Sequence, residues 1–131
     1  MSEQIPKDLR YTSAHEWTKV ADDGVVTIGI TVHAVEQLGD ITMVTLPDVG
    51  TSLAAGEAFG DVDSVKAVSE LFAPIDGEVV AVNEQLDDTP ETVNEAPYGA
   101  GWMLKIRPFD PTQLAALLDP AAYDALVQSE Q

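Results

Sequence analysis

A chain of 131 residues with 23 acidic and six basic side chains carries a formal charge of −17 and an isoelectric point near 4.1. That balance excludes nucleic acid, whose phosphates would be repelled, and a basic patch gripping anionic lipid. The absence of cysteine excludes disulfides, thiolate metal sites and cysteine nucleophiles. The length suits a single domain, 1–131, able to bury a core. The opening Met1-Ser2-Glu3-Gln4-Ile5-Pro6 has no basic region followed by an apolar run, so no signal peptide is expected. No apolar run approaches the roughly 18 residues that span a bilayer. A cytoplasmic monomer without membrane contact is the expectation, its charge steering it toward partners with basic patches.

In chain order, strands are expected over 15–20 and 25–30, joined through Ala21-Asp22-Asp23-Gly24, with glycine supplying the positive φ of a hairpin turn. Thr31 caps a short helix over 32–38 that Gly39 ends. A strand over 41–46 stops at Pro47, and Asp48-Val49-Gly50 turns the chain. Further strands follow over about 58–65, 67–72, 77–82 and 102–107, punctuated by Pro74, Gly77 and Gly99-Ala100-Gly101. Asp110-Pro111 and Asp119-Pro120 each place an acidic cap before a proline at the first helical position. The expected architecture is mainly β, a sandwich or barrel over about 8–109 with a helical tail over about 110–128. Gly39-Asp40-Ile41 with Val44 is echoed 38 residues later by Gly77-Glu78-Val79 with Val82, a pattern that fits two ordinary turn-to-strand transitions or a folded-over pair of similar halves with the Lys66 turn exposed at one end of a flattened barrel.

Catalytic constellations are thin. His15 and His33 lack a paired ligand spacing; His15, at the start of a strand, suits a structural hydrogen bond, and His33 a surface or boundary position. The acids Glu84, Asp87, Asp88, Glu91 and Glu95 read as a solvated loop, lacking the glycine and alternating oxygen ligands of a calcium loop. No dinucleotide fingerprint, phosphate loop or nucleophile elbow occurs, so the expectation is a protein without catalysis of its own. Lys66 stands out. Only four lysines occur, at positions 7, 19, 66 and 105, and this one lies in Asp63-Ser64-Val65-Lys66-Ala67-Val68-Ser69-Glu70, between two expected strands. Val62, Val65, Ala67 and Val68 are expected to pin the flanks of the turn into the sheet. Asp63 and Glu70 favour the protonated amine, so acylation would need an enzyme that removes the proton. A group in amide linkage there would sweep on the order of 10 Å or more, raising its effective concentration at a partner's active site. On spacing alone, a solubilising surface cation and a carrier attachment point both fit.

The segment from Asp63 to Glu70, with Ala73-Pro74-Ile75-Asp76-Gly77-Glu78-Val79 and Asn83, resembles the lipoyl-attachment region of the glycine cleavage system H protein family. The resemblance extends in order over roughly 8–127, through Arg10-Tyr11-Thr12, His15-Glu16-Trp17, Ile28-Gly29-Ile30-Thr31 with Ala34, Gln37-Leu38-Gly39-Asp40, Leu46-Pro47-Asp48-Val49-Gly50, Val93-Asn94-Glu95, Pro97-Tyr98-Gly99 and Gly101-Trp102.

The resemblance implies a flattened barrel-sandwich hybrid of the lipoyl and biotinyl carrier kind, with a short internal helix and C-terminal helices. It implies a non-catalytic carrier with lipoate on Lys66. Asp63, Ser64, Val65 and Ala67 would be read by the attaching enzyme, a lipoate ligase or a lipoyl or octanoyl transferase. The implied partners are glycine decarboxylase, which loads an aminomethyl group, the aminomethyltransferase, which removes it, and dihydrolipoamide dehydrogenase, which reoxidises the dithiol. Glu16, Glu70 and His33 would belong to a cleft that docks the loaded arm, an anion there pairing with the amine while water is excluded. Three positions depart from the family: Asp63 is usually glutamate, Val32 replaces a residue commonly acidic, and Ala14 falls where a cleft-lining serine sometimes occurs. Biotin carriers usually read Met-Lys-Met, unlike Val65-Lys66-Ala67, and the lipoyl domains of 2-oxoacid dehydrogenases are shorter and lack the tail. A relay passing lipoate to other enzymes, or an unmodified acidic interaction module, remain alternatives.

Overall fold

In a computed structural model, residues 8–129 are described; the opening hexapeptide and Lys7 lie outside them. Strands β1 (Arg10–Tyr11), β2 (Glu16–Val20), β3 (Val26–Ile30), β4 (Ile41–Thr45), β5 (Ser52–Leu53), β6 (Ala58–Ser64), β7 (Val68–Phe72), β8 (Gly77–Val82) and β9 (Leu104–Pro108) form two antiparallel sheets. One has the order β1-β2-β3-β9-β8-β5 and the other β4-β6-β7. Helix α1 (Val32–Leu38) leads from the first sheet toward the second.

Alternation sets the core. Val26, Ile28 and Ile30 on β3 share a face with Leu104 and Ile106 on β9 and Val79 on β8, and meet Ile41, Val44, Val62 and Leu71 from the smaller sheet. On the opposite face, Tyr11 and Trp17, paired across β1 and β2, join Leu9, Tyr123 and Val127 in a second core under helix α4 (Pro120–Ser129). Trp17 stands opposite Gly29 in the β2–β3 register, and a Cβ there would lie 2.7 Å from the indole ring. The indole N–H donates to Pro97 O at 2.9 Å.

The caps follow the expected chemistry. Thr31 Oγ1 accepts from Ala34 N–H, Gly39 at φ 80° closes α1 onto Val35 O, and Asp119 Oδ1 accepts from Ala122 N–H at 2.8 Å. The echoed glycines serve different ends. Gly39 supplies a left-handed cap, whereas a Cβ on Gly77 would strike the Ile106 side chain and Arg107 O.

Four expectations are corrected. His15 precedes β2 instead of opening it. It is the one described non-glycine residue at positive φ, 69°, within a tight turn in which Thr12 N–H donates to Glu16 O and His15 N–H to Thr12 O. The acidic loop contains two single turns, α2 (Gln85–Asp88) and α3 (Thr92–Glu95), because Leu86, Thr92 and Val93 are buried while all five acids stay exposed. After Asp110 the chain forms a 3-10 segment, Pro111–Ala116, rather than an α-helix. His33 is buried at 5 % exposure, not at the surface or a boundary.

Candidate functional site

The hairpin β6–β7 presents Lys66 at its tip. Asp63 pairs with Val68 as the last rung, leaving residues 64–67 as the turn. Ser64 knots that turn: its N–H and hydroxyl both donate to Ala67 O, and its Oγ accepts from the N–H groups of Lys66 and Ala67 at 3.2 and 3.1 Å. The expected apolar pinning holds only at Val62, which is fully buried. Val65 and Val68 are each 68 % exposed and Ala67 is exposed too. Hydrogen bonds, most of them through Ser64 Oγ, and not apolar packing, order the tip.

A second tether comes from below, where Val65 N–H donates to Asp40 O at 3.1 Å. The Lys66 side chain crosses Gly39, where a Cβ would stand 3.2 Å from Lys66 Cε. Lys66 as a residue is exposed. Asp63, half-buried, is fixed through its carbonyl by the Thr42 hydroxyl.

Glu16 is placed by register. It pairs with Ile30 as Thr18 pairs with Ile28, so its side chain lies on the core face at the start of β2. From there it bridges to the other sheet: Oε2 accepts Phe72 N–H at 2.8 Å, and Oε1 accepts the Thr12 hydroxyl at 2.9 Å. At 2 % exposure its carboxyl is pushed up to about 7 by burial, against the opposing pull of the bonds from Phe72 and Thr12. Glu16 lines a cavity of about 480 Å³ with Ala14, Phe72, Pro74, Leu117 and Leu118 among its walls. Glu70 and His33 are not among those walls. Glu70 is exposed on β7, directly opposite Asp61.

His33 instead belongs to an aromatic cluster with His15 and Tyr123. Its ring centroid lies 4.6 Å from that of His15, whose Nδ1 is 2.8 Å from Tyr123 Oη. Tyr123 Oη also meets Thr31 Oγ1 at 2.6 Å, and its ring stacks on Tyr11 at 4.5 Å. This ties the turn carrying Glu16 to α1 and α4. Sequence reasoning missed Tyr123, and the one available signal was a large aromatic in an otherwise small-residue helix. Among the described residues, no group of three or more His, Asp or Glu side chains is placed to hold a metal ion.

The fold is that of a carrier: two antiparallel sheets in a sandwich, with a lysine displayed on a hairpin of the smaller one. A sequence profile of the glycine cleavage H-protein family matches residues 9–130. The glycine cleavage system H protein of Chromohalobacter salexigens is 55 % identical over 127 residues, covering 97 % of either chain. That of Cronobacter sakazakii is 51 % identical, covering 96 % of this chain and 98 % of its own. The crystal structure of the Mycobacterium marinum H protein superposes with a TM-score of 0.87 at 42 % identity, covering 97 % of this chain and all of that one. The chain belongs to the glycine cleavage H-protein family, whose members act as lipoyl carriers in the glycine cleavage system and not as catalysts. No helix among the described residues is long and apolar enough to cross a membrane.

Proposed function

We propose that Lys66 bears the lipoyl group in amide linkage and that the Glu16 cavity shelters the loaded arm. The observation that carries this reading is the Lys66 tip, its backbone held by Ser64 and Asp40 while the side chain stays exposed over a glycine. The residues fit the group. Strand β7, running from the tip to Phe72 on the cavity wall, spans ~13 Å, comparable to the reach of a lysine extended through an amide. The cavity offers apolar walls from Phe72, Pro74, Leu117 and Leu118 to a ring, and a single buried carboxylate to an amine. The bound group supplies a redox-active disulfide, which a cysteine-free chain cannot.

Within this reading, Glu16 ionises beside the cationic cargo, since an adjacent ammonium favours the carboxylate. Thr12 and Phe72 hold it in place through the bonds already described. Phe72 and Leu117 exclude water. Glu70 and Asp61, like charges facing each other across the hairpin, leave an uncompensated negative surface beside the tip that suits a basic partner. Asp63, Ser64, Val65 and Ala67 form the surface that an attaching enzyme meets first, a lipoate ligase or an acyl transferase. The enzymes served are glycine decarboxylase, the aminomethyltransferase and dihydrolipoamide dehydrogenase, and the chain works as one monomeric unit in the cytoplasm.

Intact mass after expression with lipoate, with the modified peptide located by fragmentation, tests the attachment. A lipoyl increment on Lys66, lost in Lys66→Arg with the fold retained, is expected. Modification of another lysine, or none in cells whose other lipoyl proteins are modified, refutes it. For the cavity, Glu16→Ala is expected to leave lipoylation intact and to hasten ammonia and formaldehyde release from the loaded form; an unaltered release rate refutes that assignment.

A further inference from the structure

The turn that holds Lys66 is supported by a residue 28 positions away in sequence. Asn94, on α3, brackets the segment Gly39-Asp40-Ile41 from both sides. Its Oδ1 accepts Ile41 N–H and its Nδ2 donates to Gly39 O, each at 2.8 Å. Between those two anchored peptides lies Asp40, whose carbonyl takes the N–H of Val65, the residue before Lys66. Gly39 in turn is the surface over which the Lys66 side chain runs.

Asn94 is itself firmly seated. Val93 beside it is fully buried in the main core. A Cβ on Gly101 would lie 2.9 Å from Val93 Cα and 2.8 Å from Ala96 O, so the following loop is packed flush against α3. That loop is held by Asn83, whose Nδ2 donates to Ala100 O and Trp102 O. An unbroken series of contacts therefore runs from the core through α3 and the 39–41 segment to the tip.

We propose that Asn94 is a positioning residue for acylation of Lys66, holding the 39–41 segment that anchors the tip through Val65; this rests on the reading that Lys66 is the lipoyl site. In the acylation the deprotonated Lys66 Nζ attacks the acyl carbonyl of an adenylate made from lipoate and ATP. A C–N bond forms, the bond to the phosphate oxygen breaks, AMP leaves with the electron pair, and the amine proton passes to the enzyme. An anchored tip offers the amine in one pose. Released, it occupies that pose a fraction of the time, and apparent affinity falls by that fraction.

The test uses apo protein with a lipoate ligase, lipoate and ATP, and follows modification of Lys66 by mass. Asn94→Asp keeps the acceptor for Ile41 and replaces the donor to Gly39 O by an oxygen. KM is expected to rise about five- to tenfold with kcat unchanged, the loss of one anchoring hydrogen bond. Amide exchange at Val65 should accelerate, while Val79 in the opposite sheet stays as protected as before. Ile106→Val, a core truncation in that sheet, serves as a control for lowered stability. Acylation of Asn94→Asp with unchanged KM, or an equal rise in Ile106→Val, overturns the proposal, as does unchanged exchange at Val65. An unmodified Lys66 in the unaltered protein overturns instead the reading on which it rests.

Discussion

Glu16 makes the stability of this protein depend on pH in a direction set by burial. Its carboxyl, near 4.5 in an unfolded chain, rises to about 7 in the fold. Below pH 4.5 both states hold the proton, and above 7 neither does. Between them the folded state keeps a proton that the unfolded state has lost, so stability contributed at low pH disappears as pH rises through that window. At 1.36 kcal/mol per pH unit the full loss is on the order of 3 kcal/mol. Glu16→Gln preserves shape and cannot ionise. It carries a constant offset, because Phe72 N–H and the Thr12 hydroxyl reach the two different oxygens of Glu16, and in the amide one of those positions is an NH2 that cannot accept. The difference in unfolding free energy, variant minus unaltered protein, should therefore climb by about 3 kcal/mol from pH 4.5 to pH 7 and level off above it. Urea denaturation followed by tryptophan fluorescence measures it, since Trp17 is buried in the second core. Comparing the two proteins at each pH cancels the repulsion among the remaining acids. A difference that stays flat across the window would mean that Glu16 ionises as an ordinary surface carboxylate, and the sheltered-anion argument would fail with it.

Other perturbations follow from the same contacts. Tyr123→Phe keeps the stack on Tyr11 but removes one hydrogen-bond partner of His15 Nδ1 and one of the buried Thr31 hydroxyl; a loss of about 1–3 kcal/mol is expected by urea titration, and no loss would deny the cluster a structural role. Gly29→Ala forces a Cβ into the Trp17 indole, so it should cost about 1–3 kcal/mol and shift the tryptophan emission, whereas an unshifted spectrum would argue against the close approach. Asp119→Ala removes the cap that receives Ala122 N–H; a cost of about 1 kcal/mol, with faster amide exchange confined to the start of α4, is the expected readout. Lys66→Ala should leave the unfolding free energy, measured by urea denaturation, within about 0.5 kcal/mol of the unaltered protein, as for an exposed surface side chain.

Most of the β framework was legible because its signals are local. Gly24, Thr31, Gly39 and Pro47 mark turns and caps by backbone chemistry that needs no tertiary context. Lys66 was legible because a lone cation between alternating runs can occupy little other than a hairpin end. What stayed hidden depends on distant partners. Strands β1 and β5, two residues each, show no periodicity. Single turns α2 and α3 exist because Leu86 and Val93 find the core, a fact that their acidic neighbours obscure. The exposure of Val65 and Val68 was unforeseen because apolar character alone does not say which face of a turn is buried. Spacing could not show that Glu16 would reach across to Phe72, since that contact joins residues 56 apart in different sheets.

The walls of the cavity come from the early, middle and late parts of the described chain: the turn at 11–16, the end of β7 with residues 73–74, and residues 116–118 of the tail, where Tyr11 and Leu118 exchange backbone hydrogen bonds. The hydrogen bonds that tie the Lys66 tip to Ser64, Asp40 and Asn94, by contrast, draw only on residues up to Asn94. During synthesis from the N-terminus the segment that offers the lysine is thus complete before the one that closes the shelter has been made. A chain cut short after β9 would keep everything that presents the amine and lose one wall of the chamber. The order of the genetic message itself puts the handle before the hood.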